Sequence, residues 1–149
     1  MNQLFLPLLA FVGGIFLAIQ GSLNAHLGVL LKNPLLASVT AFFSSMIFAV
    51  TFLLLSAKEM PAWNDIRQIP SYLWVAGGFF SVLGISIYYY TIPRLGVSTM
   101  ISLGLCGQLL FAVIAGHFGW FDLPTEPITI KRILGVLSMI TGILLINLK

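Results

Sequence analysis

"LFLPLLAFVGGIFLAIQGSLNAHLG", residues 4–28, decides how the rest of the chain is read. Its first half, "LFLPLLAFVGGIF" (4–16), is apolar throughout. Then Gln20, Ser22, Asn24 and His26 arrive at every second position, with no charge among Gln20, Ser22 and Asn24. An amide left unpaired in hydrocarbon costs about 2–7 kcal/mol, so side chains of this kind do not face lipid tails without a reason. Gln20 and Asn24 are four apart and stack on one helix face. Two readings follow. Either Asn24 and His26 lie at headgroup depth while Gln20 bonds a neighbouring helix, or Gln20 and Asn24 line a polar cavity.

Composition places the chain in a bilayer. Of its 149 residues, 59% are hydrophobic and 7% charged, and the mean hydropathy is +1.06. Soluble domains are about 25% charged. The expected fold class is therefore an all-α integral membrane protein, a single domain over residues 1–149. A helix crosses hydrocarbon with about 20 residues, and five segments qualify, at about 4–24, 35–56, 71–92, 97–117 and 130–148. Between them lie "LKNP" (31–34), "KEMPAWNDIRQIP" (58–70), "IPRLG" (92–96) and "GWFDLPTEP" (119–127), all carrying Pro, Gly or charge. The basic N-region of a cleavable signal is missing, so the first segment reads as a true span.

The net charge is +3. Its basic residues stand singly or as one pair, a loop and interface pattern that argues against nucleic acid. Counting spans puts Lys58, Arg67, Lys131 and Arg132 on one side of the membrane and Lys32, Arg94 and Lys149 on the other. Excess Lys and Arg would fix orientation, and here the two sides nearly balance. All four acids, Glu59, Asp65, Asp122 and Glu126, fall on the first of those sides.

Helices in lipid associate where small residues let backbones approach. Gly14 with Ala18, Gly77 with Ser81 and Gly84, and Gly135 with Ser138 and Gly142 form such seams by spacing. Gln108 sits mid-span in the fourth segment, where it serves either an interhelical hydrogen bond or a solute. Tyr88, Tyr89 and Tyr90 point three ways around one helical turn. At most two of them face the interior, and Tyr89 is the candidate for a binding role. No Asp or Glu lies inside any predicted span, which argues against the simplest proton-for-cation exchange through a buried carboxylate.

Cys106 is the only cysteine, so neither an internal disulfide nor a cysteine-based metal site is expected. No cofactor motif occurs. His117 and Asp122 stand in an H-x4-D spacing that some lipid acyltransferases use, but two residues without a second motif do not make an enzyme.

"IPRLGVSTMISLGLCGQLLFAVIAGHFGWFDLP" (92–124) resembles the YdcZ-type family of the drug/metabolite transporter superfamily. The likeness continues upstream in "IQGSLNAHLG" (19–28), similar to that family's Q-G-x-x-N-A-x-L-G with a following Pro, here Pro34. It extends downstream through "IKRILGVLSMITGILLI" (130–146). The resemblance implies five transmembrane helices forming half of a ten-helix inverted-repeat transporter, with its solute site at midplane. Gln20, Asn24 and Gln108 are then the best candidates for the cavity. The solute would be a small metabolite or amphipathic compound, and the location a bacterial inner membrane. The partner would be a second copy of this chain, antiparallel given the charge balance, or a paralogous five-helix chain. One departure stands out: the family commonly has an acidic residue where this chain has Gly116.

Overall fold

The computed structural model describes residues 4–56, 61–122 and 124–148. Lys58, Glu59 and Lys149, which entered the charge count, lie outside them. Among the described residues six α-helices run in order: α1 (Phe5–Leu30), α2 (Pro34–Ser56), α3 (Trp63–Gln68), α4 (Leu73–Leu95), α5 (Val97–Phe118) and α6 (Ile130–Asn147), with a 3₁₀ turn at Trp120–Asp122. Five of them, all but α3, are long and apolar enough to cross a membrane. Their apolar side chains are mostly exposed, Phe16, Phe52, Phe80 and Leu145 among them. That is the arrangement of a protein whose solvent is lipid.

Two spans differ from the sequence reading. The first helix runs to Leu30 rather than to about 24. Gln20, Ser22 and Asn24 are all hydrogen-bonded, and the helix continues past the exposed His26 until the turn at Lys32, Asn33 and Pro34. The third span continues through Pro93 to Leu95. Proline cannot donate to the carbonyl of Tyr89, but residues after it keep helical geometry. The stop is Gly96, whose φ of +87° is open to glycine.

The chain divides into two compact units, one ending at Arg94 and one beginning at Leu95. In the first, α1 packs on α2, and the buried residues of the two helices are small: Gly21, Ala25 and Gly28 on α1, Ala37, Ser38 and Ala41 on α2. A β-carbon at Gly28 would stand 3.3 Å from Pro34 Cα and 3.5 Å from Ala37 Cβ. The helices therefore touch almost backbone to backbone where they turn. Asn33 closes that turn, its Oδ1 accepting from the amides of Leu35 (3.0 Å) and Leu36 (3.1 Å). This caps α2, whose first amides have no helical partners. From α4, Ile92 reaches the same core, its Cδ1 3.7 Å from the β-carbon position of Gly21.

In the second unit α5 packs on α6. Asn147 donates to Ser102 Oγ (3.1 Å) and to the Ile143 carbonyl (2.8 Å). The connecting segment is clasped to the end of α5. The Glu126 amide donates to the Gly116 carbonyl (2.8 Å), and Arg132 holds both the Glu126 carbonyl (2.8 Å) and its carboxylate.

Among the described residues, the glycines of the seams read from spacing make no close approach within the chain. A β-carbon at Gly14, Gly77, Gly84, Gly135 or Gly142 would meet nothing within 4 Å, Ala18 is half-buried, and Ser81 and Ser138 are exposed. The close approach falls instead at Gly28, where α1 and α2 converge toward their shared turn.

Candidate functional site

The site is built from side chains on α1 and α4. Gln20 and Asn24, one turn apart on α1, both point at Tyr89 of α4. Gln20 Nε2 donates to Tyr89 Oη at 3.2 Å and Asn24 Nδ2 donates to the same oxygen at 3.0 Å. Tyr89 is 1% exposed, the largest of the fully buried side chains. Its neighbours divide as helix geometry requires: Tyr88 is half-buried and Tyr90 exposed.

The alternating polar run on α1 is thereby resolved. Gln20 and Asn24 turn inward to Tyr89. Ser22 Oγ donates back to the Ala18 carbonyl (2.8 Å), a bond within its own helix. His26 is exposed. The run is neither a helix end nor a uniform polar face; its inward residues are the ones four apart.

One turn before Tyr89 on α4, Ser86 shares a hydrogen bond of 2.9 Å with Ser38 of α2. Ser38 is 0% exposed and also donates to the Pro34 carbonyl (3.0 Å). The sequence reading passed over both serines. The signal was available: Ser86 lies three before Tyr89, on the same helix face. Together these residues put a string of uncharged polar groups into a membrane helix cluster. In the trio the two amides fill the lone pairs of Tyr89 Oη. That leaves the phenol hydrogen, two amide carbonyls and one further N–H on each amide to meet a polar solute.

The fourth candidate, Gln108, lies on α5 in the second unit, and its side chain is exposed. Ser44, Ser138 and Thr141, on membrane-length helices, bond to carbonyls of their own helices. His117 Nδ1 accepts from the Ile128 amide (3.4 Å), so that imidazole nitrogen braces the segment before α6. Among the described residues no cluster of three His, Cys, Asp or Glu could hold a metal ion.

Gly116, where the resemblance leads one to expect an acid, has a carboxylate beside it all the same. Glu126 folds back so that its Oε2 lies 3.8 Å from where a Gly116 β-carbon would be. A β-carbon at 116 would be in ordinary contact with Glu126, 3.6 Å from its Cβ.

No curated protein and no solved structure matches the chain. The family model DMT_YdcZ, described as "Putative inner membrane exporter, YdcZ", matches residues 5–145. That match spans all five membrane helices and both units, including Gln20, Asn24 and Tyr89. An all-α chain of five membrane-length helices, with an uncharged polar cluster buried among small residues, thus belongs to the YdcZ family of multi-pass inner membrane exporters.

Proposed function

We infer that this chain is one half of a small secondary exporter in a bacterial inner membrane, working as a homodimer and moving a small metabolite or amphipathic compound. The observation that carries this reading is the convergence of Gln20 and Asn24 on Tyr89. Uncharged donors and acceptors at helix-core positions suit a polar solute that crosses without a fixed counter-charge. None of the four acids falls in the five long helices, which disfavours coupling through a buried carboxylate.

A five-helix chain has too few helices to enclose a midplane site with a gate at each face. Two copies would supply ten, and inverted repeats are the usual plan for such transporters. Among the described residues, a β-carbon at Gly14, Gly77, Gly84, Gly135 or Gly142 would meet nothing within 4 Å, and such seams would suit a second copy. Gln108, exposed on one chain, would then face the shared cavity.

Extracellular metabolite profiling tests the reading. Cells producing the wild-type chain are compared with cells producing Gln20→Leu/Asn24→Leu at equal membrane abundance. A solute enriched outside only with the wild type supports export. Identical profiles favour the second reading, a non-transporting partner or assembly subunit, in which the trio locks α1 to α4 and nothing more.

A further inference from the structure

Beside the trio, in the first unit, a cleft of about 480 Å³ opens at the α1–α2 turn. Tyr89 forms part of its wall and Gly28 and Pro34 another part, while Lys32, Arg94 and Tyr90 stand around it. Both charged residues on the cleft are cations, and neither has a carboxylate partner among the described residues. The nearest acid in sequence on this unit among the described residues, Asp65, lies beyond the far end of α2. A helix of 23 residues puts that end about 34 Å away. Both cations are exposed at the rim of the cleft, beside the apolar side chains of Val29, Pro34 and Pro93.

The Lys32 backbone and the Arg94 side chain are both held in place. Lys32 adopts φ +52°, a left-handed conformation where glycine is usual at a helix end. The turn enforces it: the Lys32 amide donates to Val29 O (3.0 Å) and the Asn33 amide to Gly28 O (3.0 Å). Keeping a side chain there costs about 1–2 kcal/mol relative to an ordinary conformation. Arg94 stacks on Tyr90, its Cζ 3.6 Å from the ring centroid, and Nη1 donates to the Tyr90 carbonyl. That posture leaves most of the guanidinium donors available.

We propose that this cleft is an anion site: Lys32 and Arg94 take the phosphate or carboxylate head of an amphipathic molecule, whose apolar part lies along the cleft toward Tyr89. As an anion site it stands alone. As the entrance to a transport path it rests on the exporter reading above.

The test is binding by the purified full-length chain in phosphatidylcholine nanodiscs, followed as a rise in unfolding temperature, since a ligand of the folded state stabilises it by mass action. The probes are octyl phosphate and octyltrimethylammonium. Octyl phosphate is expected to stabilise saturably, with an effect that weakens as salt is added, and the ammonium compound is not. Lys32→Gln/Arg94→Gln should weaken octyl phosphate binding at least about ten-fold, the loss of two charge-assisted hydrogen bonds. Lys32→Arg/Arg94→Lys, which keeps both charges, should retain most of it. Equal stabilisation by the ammonium compound, or unchanged binding by the neutralised pair, overturns the proposal. Should the neutralised pair fail to fold, the charge-keeping pair decides: folded yet unable to bind, it overturns the proposal too.

Discs containing phosphatidylglycerol separate the sources of the head group. If that lipid stabilises the wild type, spares the neutralised pair and abolishes the octyl phosphate effect, the site takes a lipid headgroup. If octyl phosphate still binds, it takes a solute. No transport step enters the assay, so a chain that binds octyl phosphate and exports nothing overturns the exporter reading alone.

Discussion

Asn24 and Tyr89, 65 positions apart, meet through a 3.0 Å hydrogen bond from the Asn24 amide to the phenol oxygen, which also receives Gln20. One oxygen thus accepts from two amides of a membrane-length helix.

Tyr89→Phe removes that acceptor and leaves both amides unpaired. Each stranded group costs about 1–3 kcal/mol when buried. The single variant should therefore unfold at clearly lower temperature in detergent. Gln20→Leu/Asn24→Leu/Tyr89→Phe should recover much of the loss, because removing all partners together strands nothing. A triple variant less stable than Tyr89→Phe would mean the trio does not act as one unit.

Gly28→Leu should prevent α1 and α2 from closing, since even a β-carbon there stands 3.3 Å from the Pro34 backbone. Gly14→Leu meets open space within the chain and should leave the monomer folded. If the Gly14 seam joins two copies, Gly14→Leu should instead shift the protein from dimer to monomer. Size-exclusion profiles of both variants, with cross-linking in membranes, distinguish the two effects.

The α1–α2 turn predicts a pair of opposite sign. Asn33→Ala deletes the cap on Leu35 and Leu36 and should cost about 1 kcal/mol of stability. Lys32→Gly relieves a left-handed backbone at φ +52° and should raise the unfolding temperature, as glycine does at helix C-termini. The same Lys32→Gly chain should bind octyl phosphate more weakly. Thermal melts of the two variants beside the wild type would read both signs.

Insertion in both orientations is the expectation from charge. Four basic residues on one side against three on the other leave little bias. Reporters fused after Lys149, one active in the cytoplasm and one outside it, should both give signal. Signal from one alone, unmoved by adding a Lys to either side, would exclude an antiparallel homodimer.

The spans were legible because hydrophobic length is a one-dimensional property, and the same holds for the polar pair at Gln20 and Asn24. The end of α1 was not legible. Ser22 and His26 made the run look like a helix leaving the membrane, when Ser22 bonds its own helix and only Gln20 and Asn24 turn inward. Their acceptor lies on α4, and nothing local in α1 names it. Tyr89 was legible as the candidate among three tyrosines, but its full burial was not, since adjacent helical residues diverge by about 100° and packing selects among them. Glu126 was legible as a loop acid, but its return to Gly116 depends on a backbone bond across ten residues that no motif announces.

The unequal lengths of α1 and α6 carry a consequence for the surrounding lipid. At 26 and 18 residues they measure about 39 and 27 Å, against a hydrocarbon core of about 30 Å. The longer helix must tilt or let its ends rise toward the headgroups, while the shorter one draws the leaflets together around it. Mismatch of this kind makes membrane thickness a mechanical load on the protein. Export measured in vesicles of graded acyl length should then pass through an optimum on the thin side, set by α6 rather than by the solute.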